Sequence, residues 1–352
     1  MRSVYILCFC LFILINTSLT CSANRSVSPG QIQVNKITVI ESEHEVYDMA
    51  WQPGGFLLAE AEYYSENSGI ITVWNTKTQK IVHLLEYGTT LEGPQLAWNP
   101  DGRKLAVVHL DPIDGHSDNI YVWEITETTA TLLSSMRHAA DYSSSITIAW
   151  GEDSQQILSF RHDEDRDEVK IWDAVSGVNL NTFDDLHNTL SANWLSSEKE
   201  LVLGKKDGSA EISHIPDFEL LTVLPPNNQR AFVNWIDWTP DKNYLVGIGY
   251  NGADSAIWVW DVNNQSVSEP ISADRLQWVI DQEIHPTKNV LATISKNSSI
   301  LKVWEISSEV ELLSFLDLPA NATSLSWSTD NDQIAISLAN GQILIWEIIV
   351  TV

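Results

Sequence analysis

Short runs of alternating apolar and polar residues recur along this chain, separated by polar turns rich in proline, glycine, asparagine and aspartate. The clearest instance is Phe232 to Val262, FVNWIDWTPDKNYLVGIGYNGADSAIWVWDV. One strand runs into Trp238, and Pro240 and Asp241 make a turn. A second strand follows from Tyr244 to Ile248, then a polar turn from Asn251 to Ser255. A third strand ends at Trp260-Asp261. β-Branched and aromatic residues at a period of two, bounded by such turns, predict antiparallel strands.

Two positions repeat. The first closes an inner strand before the turn: Trp51, Trp98, Trp150, Trp194, Trp238, Ile284 and Trp327. The second closes the third strand: Trp74, Trp123, Trp172, Ser213, Trp260, Trp304 and Trp346. Trp51 to Trp327 spans 276 residues in six steps, a mean period of 46. That period, with four short strands per unit, predicts a propeller. Tryptophan at the blade period fills the wedge between neighbouring blades, so these side chains are read as core.

The turns repeat as well: Pro53-Gly54-Gly55, Pro100-Asp101-Gly102, Pro240-Asp241-Lys242 and Pro286-Thr287-Lys288. With the strings ITVWN, IYVWE, VKIWD, IWVWD, LKVWE and LIWE, the chain resembles the WD-repeat family over residues 31 to 349. The resemblance implies a seven-bladed ring and a role in holding other proteins. It is incomplete. The Gly-His pair that opens many such repeats is absent, and Gly115-His116 lies in another loop. The hydrogen-bonded tetrad that pair supports is therefore not assumed in any blade. Ser213 and Ile284 mark the fourth and sixth units as degenerate.

The seventh unit supplies three strands, Ala322 to Trp327, Gln333 to Leu338 and Gln342 to Ile348. The alternating segment Gln31 to Ile40 has no repeat of its own and is the natural fourth, pairing with the last strand and fastening the ring. The reading is an all-β, seven-bladed β-propeller of four-stranded antiparallel blades over 31–352, closed by an N-terminal strand. A signal peptide (1–23) and a short tether (24–30) precede it.

Composition sharpens the setting. Twenty Lys and Arg stand against 47 Asp and Glu, a net charge of −27. Such a surface repels phosphate backbones, which excludes nucleic acid as the expected partner. The apolar run Val4 to Ile15 is too short for a comfortable membrane span and fits an export signal cut after Ala23. All three cysteines (Cys8, Cys10, Cys21) lie in that leader, so the processed chain has no disulfide. Cys21 alternatively resembles a lipoprotein attachment site, although Leu19 and Thr20 fit that pattern poorly. The chain is expected to be secreted, or lipid-anchored outside the cell through Cys21, and membrane-bound only in that case. Asn24, Asn264, Asn297 and Asn321 begin sequons that matter if the source glycosylates.

Chemical motifs are sparse. Gly247, Gly249 and Gly252 form a G-x-G-x-x-G string, but it bridges two strands and no helix follows, so no dinucleotide site is expected. Asp111, Asp114 and Asp118 around Gly115, with His109 and His116, could offer metal ligands, but their spacing is not that of a calcium loop. A solvated turn is the simpler reading there. No cofactor or metal is expected, and no catalytic residue is assigned.

Long loops on a rigid scaffold are where binding resides. The two repeating positions lie 23, 25 and 22 residues apart in units one to three, against 19 in units four and seven. The surplus holds Tyr63, Tyr64 and Glu66, then Asp111, Asp114, His116 and Asp118, then Asp163, Glu164, Asp165 and Asp167. These would form an acidic, partner-binding face. Trp235 and Trp278 stand off the repeat positions and are further contact candidates. The expected function is an exported, monomeric, non-enzymatic scaffold for a protein partner. The alternatives are a small-ligand or sugar binder using Trp235 and Trp278, and a hydrolase or lyase. The enzyme needs channel-facing carboxylates to converge, for which Asp48, Asp237, Asp281 and Glu283 are the candidates.

Overall fold

The computed structural model describes residues 32–65, 68–88, 94–110, 118–137, 145–162, 167–184, 186–195, 197–215, 217–227, 231–251, 254–274, 277–330 and 332–350. The first strand, β1 (Ile32–Glu41), stands apart from the repeats. Blade 1 holds β2 (Val46–Trp51), β3 (Leu57–Ser65), β4 (Ser68–Asn75) and β5 (Lys80–Gly88). Blade 2 holds β6 (Gln95–Trp98), β7 (Lys104–Leu110), β8 (Asp118–Ile125) and β9 (Ala130–Arg137). Blade 3 holds β10 (Ser145–Trp150), β11 (Gln156–His162), β12 (Glu168–Asp173) and β13 (Asn179–Phe183). Blade 4 holds β14 (Thr189–Leu195), β15 (Glu200–Lys205), β16 (Ala210–His214) and β17 (Glu219–Leu224).

Blade 5 holds β18 (Phe232–Trp238), β19 (Tyr244–Asn251) and β20 (Asp254–Asp261), with its outer strand divided into β21 (Ser266–Val267) and β22 (Ile271–Asp274). The division falls at Ser268-Glu269-Pro270, where proline has no N–H to give the ladder. Blade 6 holds β23 (Val279–Ile284), β24 (Val290–Ser295), β25 (Ile300–Ile306) and β26 (Val310–Asp317). Blade 7 holds β27 (Ala322–Trp327), β28 (Gln333–Leu338) and β29 (Gln342–Val350).

β1 pairs antiparallel with β29 and completes blade 7, as the sequence predicts. Asn35 Nδ2 donates to Glu347 Oε2 at 2.7 Å across this pair. The hydrophobic core forms seven clusters, each joining two neighbouring blades around the ring. Most of the repeating tryptophans are buried in them, Trp260, Trp304 and Trp327 almost completely. Ser213 and Ile284 are buried in the same positions, so the degenerate units keep the blade geometry with smaller side chains.

Part of the tetrad chemistry survives without its glycine-histidine pair. Trp172 Nε1 donates to Ser159 Oγ at 2.8 Å, and Trp304 Nε1 to Thr293 Oγ1 at 3.0 Å. The turns tie blades together at one end of the ring. Gly102 has φ +70°, and a Cβ there would lie 2.2 Å from the Pro53 carbonyl oxygen of the preceding blade's turn. Only glycine serves both needs.

Candidate functional site

The inner strands enclose a central cavity of about 650 Å³, with the Pro53, Pro100 and Pro286 turns at one end and Trp235 and Tyr250 toward the other. Its wall follows from the strand period of two. Residues three before the repeating tryptophan include Asp48, Gln95, Trp235 and Asp281, and all four line the cavity. Residues one before it include Ala50, Ala97, Glu283 and Ser326, and these line it too.

These side chains join blade to blade. Asp48 Oδ2 accepts from the Leu96 N–H at 2.6 Å, and Gln95 Oε1 from the Ile148 N–H at 2.8 Å. Asp281 Oδ2 accepts from Leu325 N at 2.7 Å and Ser324 Oγ at 2.8 Å. Glu283 Oε2 accepts from Trp327 N at 2.6 Å, and Ser326 Oγ from Trp51 N at 3.0 Å. Four of the seams show two kinds of contact. Where the residue before tryptophan is Ala50 or Ala97, its carbonyl takes the next blade's indole, from Trp98 at 3.0 Å and Trp150 at 2.9 Å. At Glu283, which precedes Ile284, and at Ser326, which precedes Trp327, the side chain takes a backbone N–H instead. The indole N–H groups of Trp327 and Trp51 then have no hydrogen-bond partner among the described residues.

The four candidate carboxylates keep a partial exposure, but the ring surrounds them on all sides. That enclosure disfavours their charge. Burial raises Asp48 well above the usual carboxylate range, and the Asp281 charge adds to the rise. Burial likewise raises Asp281, and pushes Glu283 up to about 8 and Asp237 to about 7. Asp48, Asp281 and Glu283 do converge on the cavity. Both oxygens of Asp48 and of Asp281 already accept hydrogen bonds, since Met49 N and Gln282 N take the remaining ones at 2.9 and 2.8 Å. They act as latches within the ring. Asp237 lies in a separate pocket beside Trp194 and Trp238, bonded to Asn193 Nδ2 at 2.8 Å.

An apolar patch occupies the end of the ring where strands two and three of each blade are joined. Trp278 is 53% exposed, Phe232 50% and Ile280 41%. The Trp278 ring lies 5.7 Å from that of Tyr250, whose hydroxyl donates to the Val279 carbonyl at 3.2 Å. Lys296 Nζ sits 6.0 Å from the Trp278 ring. Trp235 is half-buried and packs on the core cluster between blades 5 and 6, so it belongs to the cavity wall more than to the surface. The sequence pointed to the two tryptophans and missed Phe232, Tyr250 and Ile280. Their signal was alternation: Phe232 and Ile280 are exposed beside the buried Val233 and Val279.

The acidic stretches divide. In blade 1 the surplus length is strand, with Tyr63 opposite Gly69 and Ser65 opposite Ser68; Glu66 lies outside the described residues. In blade 2 Leu110 pairs with Asp118, and Asp111, Asp114 and His116 lie outside them. Asp163, Glu164 and Asp165 do too. Asp167 is described, and it is not a free surface acid. It is 8% exposed, bonds His162 Nδ1 at 2.6 Å, and accepts from Thr189 N of blade 4 at 3.2 Å. Cys21 is also outside the described residues. Among the described residues no group of three or more His, Cys, Asp or Glu is arranged to hold a metal ion, and no helix is long and apolar enough to cross a membrane.

Among known families, the WD domain, G-beta repeat model fits residues 218–261, from the outer strand of blade 4 to the third strand of blade 5. Coronin-7 of Pongo abelii is 24% identical over 132 residues, which is 36% of this chain and 14% of that protein. The crystal structure of Chaetomium thermophilum Raptor superposes with a TM-score of 0.71 at 17% identity, covering 89% of this chain and 28% of that one. The chain thus spans a small part of each, and the Raptor likeness is one of fold.

Proposed function

We propose that this seven-bladed propeller, which carries a WD40 repeat, is a non-enzymatic scaffold that binds a protein partner on the face bearing Trp278. The observation that carries this reading is the patch of Trp278, Phe232 and Ile280, left exposed on a rigid ring beside the cavity mouth. Clustered apolar surface of this kind marks interaction sites, and aromatic residues dominate interface energetics. Propellers of the WD40 type commonly hold proteins, which supports the reading by analogy.

The acidic segments of blades 1 to 3 are proposed to extend this face, through Asp111, Asp114, Asp163 and Asp165, and to favour a basic partner. The committed hydrogen bonds of Asp48 and Asp281 weigh against a hydrolase or lyase in the cavity. A sugar binder is favoured by one observation, the half-exposed Trp278 ring against Tyr250. Export, with release or lipid anchoring at Cys21, is proposed from the leader alone.

The test is a Trp278→Ala, Phe232→Ala double variant. Partner capture by the immobilised protein should fall at least about tenfold with thermal stability unchanged, since exposed side chains contribute little to folding. Unchanged capture removes this patch from the interface. Loss of calorimetric binding to oligosaccharides, with protein capture intact, would favour the sugar reading.

A further inference from the structure

Each of the seven core clusters receives, from the following blade, the residue that ends its inner strand. Six of these are tryptophans: Trp98, Trp150, Trp194, Trp238, Trp327 and Trp51. The seventh, between blades 5 and 6, is Ile284. Six seams hold the blades at the spacing an indole requires, and a packed interior relaxes only in part around a smaller side chain. The missing ring leaves space. A pocket of about 340 Å³ opens there, walled by Trp194, Trp238, Ile284, His285 and Pro286, with Asp237 among them. That volume is at the small end of ligand sites.

The wall is held in place by bonds that do not involve a ligand. Thr239 Oγ1 donates to Asp241 Oδ1 at 2.6 Å. The His285 ring lies 4.9 Å from that of Trp327, and its Nε2 is 3.0 Å from Asp332 Oδ1. At the solvent end Lys242 Nζ lies 3.0 Å from Glu152 Oε1 and donates to Ser197 Oγ at 3.0 Å.

The chain itself shows what such a position takes. Trp98 Nε1 donates to the Ala50 carbonyl and Trp150 Nε1 to the Ala97 carbonyl. Ala50 and Ala97 each stand one residue before the preceding blade's tryptophan, and in blade 5 that residue is Asp237. Asp237 Oδ1 accepts from Asn193 Nδ2 at 2.8 Å and from Trp238 N at 2.7 Å, whereas Oδ2 accepts from no described residue. An uncommitted acceptor thus stands where the ring lacks an indole. We propose that the pocket between blades 5 and 6 binds an indole ring, from an indole compound or a partner's tryptophan, seated on Ile284 with its N–H donated to Asp237. The apolar walls favour a flat ring over a hydrated ion, and the Asp237 and Glu152 carboxyls disfavour an anion.

Indole is the first probe, and benzofuran, the same shape without the N–H, is the second. Titrating the isotope-labelled full chain with indole should shift the Ile284 methyl and Trp238 ring resonances saturably, with a Kd of about 1 mM or tighter. Ile343, at the seam between blades 7 and 1, should not move. Benzofuran should bind about tenfold more weakly, the worth of a hydrogen bond to a carboxyl group, and Asp237→Asn should narrow that gap. Ile284→Trp supplies the chain's own indole and should abolish binding. N-acetyltryptophanamide separates the sources: affinity equal to that of indole favours a partner's tryptophan, and weaker binding an indole compound. Absence of a saturable shift, shifts that spare Ile284, or equal affinity for benzofuran would each overturn the site, and none of these needs a variant to fold. Indole binding that survives in a folded Ile284→Trp protein overturns it as well.

Discussion

The backbone N–H of Trp51 donates to the hydroxyl of Ser326 at 3.0 Å, a bond between the first blade and the last across 275 residues of sequence. It belongs to the same closure as the β1–β29 ladder. Deleting β1 leaves blade 7 with three strands and an open edge. The melting temperature should fall by ten degrees or so and aggregation should rise, as calorimetry and light scattering would show. Ile40, 3% exposed at this seam, should cost about 2–4 kcal/mol as Ile40→Ala in urea titration. An unchanged melting temperature on deletion would mean that the strand is an accessory.

The two kinds of seam give a comparison of like with like. Trp98→Phe removes a donor from the buried Ala50 carbonyl and should cost about 1–3 kcal/mol beyond lost packing. Trp51→Phe removes an indole N–H with no hydrogen-bond partner among the described residues, and should cost about 1 kcal/mol less than Trp98→Phe. Chemical denaturation of the pair measures the difference directly, and equal losses would show that the indole bonds carry no net stability.

Stability should fall on the alkaline side. Glu283 is raised to about 8 and Asp237 to about 7, chiefly by burial, with Asp48 and Asp281 raised in the same sense. Each therefore contributes stability that is fully present below its unfolded value and lost as pH rises through its folded one. The melting temperature should be several degrees higher at about pH 5.5 than at about pH 8.5. Glu283→Gln should narrow that gap, because a neutral side chain has no charge to bury. A gap that stays the same in this variant would assign the pH dependence elsewhere.

Most of the fold was legible because the propeller writes its period into local features. Each Trp and each proline turn answers a need of its own strand or turn, and β1 declared itself by having no repeat to belong to. The seams were less legible. Glu60 and Glu62 alternate with Ala59 and Ala61 as in a half-exposed strand, yet second strands of blades are covered on both faces. The small alanines were the available signal that the opposite parity is buried too. Asp167 misled for a related reason: an acid in a charged run reads as solvated, whereas this one folds back onto His162 and Thr189.

Charge reversal tests the acidic face. On the proposed acidic-face reading, converting Asp111, Asp114, Asp163 and Asp165 to Lys should leave the protein folded and abolish capture of a basic partner. If the same proteins are captured at the same salt concentration, those carboxylates act only on solubility.

On the proposed export reading, mass spectrometry of the protein from its source should find an N-terminus at or near Asn24 and no disulfide. A diacylated Cys21 would instead identify an anchored form, since stable attachment takes more than one chain or a second signal. An intact Met1 would overturn both readings.

The closing strand also has a consequence in time. Asn35 and Glu347 are 312 residues apart, and a ribosome adding about 5–20 residues each second needs about 15–60 s to connect them. Through that interval β1 has been made and its partner β29 has not. Ile37 and Val39 remain 47% and 44% exposed even in the finished ring, so the waiting strand offers an unpaired apolar edge to whatever it meets. The rate of synthesis, as much as the stability of the completed ring, governs how much of this protein closes on itself.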